Sequence, residues 1–358
     1  MNAPDPVNVA DFERLAAERL EPGPLGYFAG GAGDERTLRD NVEAFGRWRL
    51  RPRMLVDVSK ASAATTVLGC EVSMPVLVAP VAIQCMAHAD GETGMARAAA
   101  AAGTAMCVSS FSTTSPRDVA AAAEGAPRWL QLYCFRDEGV TRALVDEAEE
   151  HGYGAIAVTV DAPFAGRRER DLRTAFVVPE DITVPALAQA VGSDRPMTIF
   201  EAFGLLDPSL SWRDLERLVA SSPLPVLVKG VLTSEDARLA VEHGAAGVVV
   251  SNHGGRQLDG VAASIDALPE VAEELGGDGE VYMDGGVRRG TDVLVALALG
   301  ARAVLVGRPA LWGLACGGEE GARRVLQLLR DEVQLALALS GCASPADITR
   351  EHVQRVRS

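Results

Sequence analysis

Residues 224–255 read LPVLVKGVLTSEDARLAVEHGAAGVVVSNHGG, and the fold follows from this stretch. VLVKG at 226–230 and GVVVS at 247–251 are short, β-branched-rich and almost continuously apolar. Strands covered on both faces read this way. Between them, SEDARLAVEH at 234–243 has a helical pattern. Thr233 or Ser234 stands where an N-cap belongs, and Gly244 follows as a C′ residue. A strand, a helix and a strand joined by a right-handed crossover make a parallel α/β unit.

The unit recurs on both sides. Further strand-like runs are VLVAP at 76–80, AMCVS at 105–109, WLQLY at 129–133, AIAVTV at 155–160, EVYMD at 280–284 and AVLVG at 303–307. Helical patterns at 92–102, 138–150 and 291–299 separate some of them, the last two ending before Gly152 and Gly300. Eight units predict a closed (β/α)8 TIM barrel rather than an open sheet. Two segments stand outside the repeat. Residues 1–72 form an N-terminal extension, expected as helices over 8–20 and 34–45 joined by the loop GPLGYFAGGAGDE. Residues 162–210 separate the fourth strand from its helix, and a connection that long is expected to act as a lid over the barrel mouth. No linker or repeat divides the chain, so residues 1–358 are expected to be a single domain.

Composition narrows the function. With 48% apolar and 23% charged residues the chain is an ordinary folded protein, large enough to need no disulfide or metal staple. A net charge of −15 argues against nucleic acid and anionic membranes as partners. No apolar run approaches a membrane span, and MNAPDPVNVADFERL lacks the basic-then-apolar pattern of a secretory signal. Cys70, Cys85, Cys107, Cys134, Cys316 and Cys342 have no metal-site spacing. No metal is therefore expected; Cys107 and Cys134 read as core residues, and the setting as a reducing cytoplasm.

Catalytic groups of such barrels lie at the C-terminal ends of the strands. In chain order the ends present Pro80, Val81 and Ala82; Ser109 and Phe111; Gln131 and Tyr133; Thr159 and Asp161, then Arg168; Lys229; Ser251 and His253 through Arg256; Asp284 through Arg288; and Gly307 and Arg308. Any one cation here reads as surface pairing. Lys229, Arg168, Arg256, Arg288 and Arg308 together at one mouth point to an anionic ligand. DGGVRRG and VGRP follow the last two strands, where barrels commonly bind phosphate; the plainer reading of the glycines is a tight turn. No G-x-G-x-x-G follows a strand, so a nicotinamide site is not supported. Of five histidines, only His253 combines a strand end, glycine neighbours and an arginine three residues on. It is the acid/base candidate. Asp161 would orient it, unless it caps its own loop.

These residues carry a resemblance. From about residue 8 to 350 the chain resembles the FMN-dependent L-2-hydroxy acid oxidases and dehydrogenases, a family that includes glycolate oxidase, lactate oxidase, mandelate dehydrogenase and the flavin domain of flavocytochrome b2. The signature is SNHGGRQLDG at 251–260, supported in order by GGAGDERTLRDN, RPRML, APVAIQCMAH, LQLYCFRD, TVDAPFAGRR, LVKGV, DGGVRRGTDVLVALALGA and VGRPALW. The resemblance implies FMN with its phosphate at Gly285, Gly286, Arg288, Gly307 and Arg308, in loops that include Asp284 and Val287. It puts the isoalloxazine against Pro80, Val81 and Ala82, with polar contacts from Ser109, Gln131, Thr159 and Ser251. Lys229 would sit near the pyrimidine end of the ring. Arg256 and Tyr27 would hold the substrate carboxylate, with Arg168 assisting, Tyr133 at the hydroxyl and His253 taking a proton. Phe111 stands where plant glycolate oxidase has Trp, which suggests lactate or a bulkier substrate. No cytochrome domain or long apolar anchor is evident, so oxygen is the expected acceptor and peroxide the by-product. The alternatives are a dehydrogenase using a quinone or protein acceptor, a non-redox barrel acting on a phosphorylated substrate, and a non-catalytic flavin holder. The family also implies a homotetramer or octamer.

Overall fold

The computed structural model describes residues 5–356. The chain begins with α1 (Val9–Arg19), α2 (Pro22–Ala29) and α3 (Arg36–Glu43), then β1 (Trp48–Leu50) and a hairpin of β2 (Thr65–Val67) and β3 (Cys70–Val72). The barrel follows: β4 (Val76–Val78), α4 (Gly91–Ala101), β5 (Met106–Ser109), α5 (Pro116–Ala122), β6 (Arg128–Leu132), α6 (Glu138–Glu150) and β7 (Ile156–Thr159). The long connection holds α7 (Glu169–Arg173), α8 (Pro185–Ala190) and α9 (Ile199–Gly204) before α10 (Trp212–Ser221). The last half is β8 (Val226–Val231), α11 (Ser234–Glu242), β9 (Gly247–Val250), α12 (Ser264–Leu275), β10 (Glu280–Asp284), α13 (Gly290–Ala298), β11 (Ala303–Val306), α14 (Arg308–Ser340) and β12 (Val353–Arg355).

All eight expected strands form, and they close in the order β10-β11-β4-β5-β6-β7-β8-β9 with every pairing parallel. Side chains alternate along each strand, so every second residue points into the barrel. Leu77, Cys107, Trp129, Ala157, Leu227, Val249, Tyr282 and Leu305 form one buried apolar cluster with Val67 and Val72 of the hairpin. Stepping two residues further toward the C-terminal ends gives Ser109, Gln131, Thr159, Lys229, Ser251 and Asp284, all buried. The barrel interior thus changes from apolar to polar in its last layer, the one nearest the mouth.

Two expectations need correction. The loop GPLGYFAGGAGDE is in part the helix α2, whose Tyr27 and Phe28 are buried. Two prolines and two glycines give that segment little intrinsic helix preference, so tertiary contacts must hold it. The connection over 162–210 stands between β7 and α10, where it was expected. It carries three short helices and is tied down by the bridges Phe135–Leu206 and Thr183–Thr198. Cys107 is buried, whereas Cys134 is only partly so. Among the described residues no helix is long and apolar enough to cross a membrane.

Candidate active site

The polar layer forms a connected floor. Lys229 Nζ donates to Asp284 Oδ2 and to Ser251 Oγ, each at 3.0 Å. Gln131 Nε2 donates to Thr159 Oγ1 at 3.0 Å, and Ser109 Oγ donates to Gln131 Oε1 at 3.2 Å. Burial disfavours the ammonium of Lys229, but Asp284 and Asp161 outweigh it and hold the group above its ordinary value. Asp284 Oδ1 is buried with no protein partner. A buried carboxylate oxygen left open beside a cavity calls for a donor from a ligand.

Above the floor, His253 Nδ1 lies 2.8 Å from Asp161 Oδ1. Burial would raise the Asp161 carboxyl, but His253 and then Lys229 hold it below the usual carboxylate range. Two backbone features make the pair possible. His253 has φ +58°, and its N–H donates to Ser251 Oγ at 3.0 Å. A non-glycine residue held in the left-handed region is a constraint typical of functional sites. Gly230 sits at an irregularity in the β8–β9 pairing with φ +113°, and a Cβ there would lie 2.6 Å from Asp161 Cβ. Glycine alone leaves room for the carboxylate. Gln257 completes the frame: Nε2 donates to Asp161 O (3.0 Å) and Phe164 O (2.9 Å), and Oε1 accepts from Gly166 N (3.0 Å).

The cations are organised by α2. The last carbonyls of a helix lack intrahelical donors and carry the negative end of its dipole. Arg256 Nη1 donates to Tyr27 O and, at 3.1 Å, to Gly30 O. Arg308 donates to Phe28 O (2.9 Å), Gly30 O (2.8 Å) and Gly254 O (2.9 Å). The Tyr27 ring is shared by Arg256 and Arg168, whose Cζ atoms lie 4.9 and 5.5 Å from its centre. These guanidiniums have few carboxylate partners. The contacts are Arg168–Asp171 and Arg288–Glu13, both at 4.0 Å. Burial and then Arg168 push Arg256 down to about 10. Burial, then Arg256 and Arg288, push Arg308 down to about 9. Half-buried cations that repel one another form a site that an anion relieves.

The loop after β10 is shaped for close approach. Gly286 has φ +82°, and a Cβ there would lie 1.8 Å from Asn41 O, so only glycine lets the loop pack on α3. Beside it α14 begins at Arg308 with no side-chain cap on its first turn, the kind of helix end that can take an anion.

One cavity takes in nearly every residue expected from the sequence. Pro80, Val81, Ala82, Ser109, Phe111, Gln131, Tyr133, Thr159, Arg168, Lys229, His253, Arg256, Asp284, Gly285, Gly286, Val287, Arg288, Gly307, Arg308 and Tyr27 line it. Asp161 and Ser251 do not; they stand behind His253 and Lys229. Ser251 Oγ accepts from Lys229 Nζ and from His253 N–H, which leaves its own O–H free to donate. Phe203 of α9 and Gln257 also line the cavity and were not foreseen. Gln257 lies inside the quoted SNHGGRQLDG; nothing near Phe203 marks it.

A family model for FMN-dependent dehydrogenases matches residues 16–355. The chain belongs to the FMN-dependent dehydrogenase family. Glycolate oxidase 5 of Oryza sativa subsp. japonica is 52% identical over 354 residues, covering 97% of this chain and 95% of that protein. L-lactate oxidase of Nostoc sp. (strain PCC 7120) is 49% identical over 352 residues, 96% of each chain. A solved mandelate oxidase with (S)-4-hydroxymandelic acid superposes with TM-score 0.92 at 41% identity, over 99% of this chain and 100% of that one. This FMN-dependent oxidoreductase has the donors its cofactor needs. The guanidiniums without close carboxylates suit a phosphate, the open Asp284 oxygen suits a hydroxyl, and the polar floor suits a ring with carbonyl and imide edges.

The Asp161 shift has a consequence for stability. Its carboxyl is depressed in the folded state, so its contribution is present above the ordinary value of 3.8 and disappears as pH falls through the lower folded value. Urea midpoints of wild type and Asp161→Asn should therefore differ most near neutrality and converge as pH drops below about 4. A gap that stays constant to pH 3 means that Asp161 contributes by packing alone.

Proposed function

We propose that this enzyme oxidises a small L-2-hydroxy acid to the 2-oxo acid, with oxygen reduced to hydrogen peroxide. The observation that carries the reading is the meeting of the His253–Asp161 pair with Arg256, Tyr27 and Tyr133 around one cavity. A 2-hydroxy acid needs an anchor for its carboxylate, a partner for its hydroxyl and a base within reach, and this set supplies all three.

Bound FMN supplies the two-electron acceptor. Gly285, Gly286, Val287, Arg288, Gly307 and Arg308 would hold its phosphate. Pro80, Val81 and Ala82 would carry the ring, with Ser109, Gln131, Thr159, Ser251 and Asp284 as polar partners. Lys229, fixed by Ser251 and Asp284, offers a positive charge at the polar end. Arg256 takes the substrate carboxylate beside Tyr27, with Arg168 assisting from the lid, and so fixes C2. Burial first and Asp161 next push the Tyr133 phenol up, which keeps it a donor at the substrate hydroxyl. With Nδ1 facing Asp161, His253 Nε2 is left to take the substrate proton, and Asp161 stabilises the imidazolium that forms.

Anaerobic addition of glycolate, L-lactate or (S)-mandelate should bleach the yellow protein, and air should restore the colour with one peroxide per turnover. Absence of bleaching across the panel removes the proposal. The family's description as dehydrogenases favours one other reading, in which a quinone or protein takes the electrons. Recovery far faster with an artificial quinone than with air selects it.

Phosphate binding is tested at Arg288. Hydrogen bonds to charged groups contribute about 1.5–3 kcal/mol each. Arg288→Met should raise the FMN dissociation constant about 10–100-fold, read from the fluorescence of released FMN on dilution. Unchanged retention would locate the phosphate elsewhere. The free cysteines and the charge of −15 support a cytoplasmic enzyme that binds neither membrane nor nucleic acid. The family resemblance supports one barrel domain over residues 1–358, assembled as a homotetramer or octamer, which solution mass measurements would test.

A further inference from the structure

We propose that Phe203, on the last helix of the lid, sets the upper size of the group carried at C2 of the substrate and restricts the enzyme to glycolate- and lactate-sized acids. The inference rests on the 2-hydroxy acid reading above. The substrate carboxylate belongs with Arg256 and Tyr27, and its hydroxyl with Tyr133 and His253. The remaining substituent must then meet the apolar side of the cavity. That side is aromatic: Phe111, Tyr133 and Phe203 all line it.

Phe111 is at the position where side-chain size is expected to be read, yet it exposes only 1% of its surface. The Tyr133 ring lies 4.8 Å from it, and Phe203 packs against it edge-on at 4.9 Å. Whatever room a phenylalanine leaves at position 111 is taken by a second phenyl ring. The surface an incoming substituent meets is Phe203.

Phe203 is also firmly mounted. Thr198 and Glu201 form a capping box at the start of α9. At its end Arg136 Nη1 donates to Gly204 O at 2.7 Å, Arg136 N donates to Leu205 O at 3.0 Å, and Asp207 N donates to Cys134 O at 3.1 Å. These partners continue the strand that presents Tyr133, so the two rings share a base. A ring held this way acts as a fixed wall, and a packed wall does not yield without cost.

Removing the ring should open a space the size of a phenyl group. Rates with glycolate, L-lactate, L-2-hydroxyisocaproate and (S)-mandelate are compared for wild type, Phe203→Leu and Phe203→Ala, all loaded with FMN. Wild type should favour lactate over mandelate at least tenfold in kcat/KM. Phe203→Ala should move that ratio toward mandelate by at least another tenfold, within the range that hydrophobic pockets discriminate, and Phe203→Leu should fall between. An equilibrium readout accompanies it: benzoylformate binding, followed by perturbation of the visible flavin band, should tighten at least tenfold in Phe203→Ala while pyruvate binding changes less than threefold. A wild type that takes mandelate as readily as lactate, or a ratio unmoved in both variants, overturns the role of Phe203 and leaves the 2-hydroxy acid reading intact. Failure of every acid to bleach wild type overturns both.

Discussion

His253→Gln should stay yellow and folded while losing substrate oxidation by about 10²–10⁴-fold, the usual contribution of a positioned general base. Glutamine keeps a polar group within reach of Asp161 Oδ1, which lies 2.8 Å from His253 Nδ1 in the native protein, but it cannot accept and carry the proton. A base acts in the transition state, so kcat and kcat/KM should fall together while KM changes little. Asp161→Asn should cost less, because the imidazole remains. The double variant should be no worse than His253→Gln alone, since Asp161 acts through the ring it faces. Stopped-flow bleaching under anaerobic conditions reads the step directly, and FMN content and Tm monitor the fold. A variant that bleaches at the native rate would assign the proton to another group. A raised KM with native kcat would make His253 a binding residue.

Much of this site could be read before any coordinates, and the reason is periodicity. In a parallel barrel every second residue points inward, so an apolar run that ends in a polar residue declares the floor of the mouth. Lys229 at the end of VLVKG and Asp284 at the end of EVYMD are such residues, and they pair at 3.0 Å. His253 was legible because glycines and an arginine surround it at a strand end. What escaped depends on contacts between distant segments. The α2 helix has poor local preference, and its C-terminal carbonyls are met by Arg256 and Arg308, more than 220 residues away. Arg308 was expected only on phosphate, yet three of its N–H groups hold the N-terminal extension and the His253 loop. Phe203 reaches the cavity through the bridge of Leu206 to Phe135, a pairing with no sequence signal.

Arg256→Met should lower kcat/KM about 10²–10⁴-fold, as expected for two charge-assisted bonds of about 1.5–3 kcal/mol each, with KM raised and kcat reduced because C2 is no longer fixed. Donor accounting explains why lysine cannot substitute. A guanidinium has five N–H groups. Nη1 donates to Tyr27 O and Gly30 O, which leaves Nε and Nη2 free to take a carboxylate in parallel. Lysine has three donors, and satisfying the same two carbonyls leaves one. Arg256→Lys should therefore keep the charge and lose the two-point grip, with an intermediate kcat/KM. Stability should move differently from activity. Arg256 loses part of its preference for the charged form first to burial and then to Arg168, and it in turn pushes down Arg308. Removing Arg256 relieves that repulsion while Arg308 still covers Phe28 O and Gly30 O. The Tm of Arg256→Met should stay within about 4–8 °C of wild type, the scale of a single kcal/mol in a small domain and an upper bound for one in a chain this long. Activity and Tm collapsing together would mean that the guanidinium is needed to hold α2 in place, and that the carboxylate is anchored by Arg168 and Tyr27 instead.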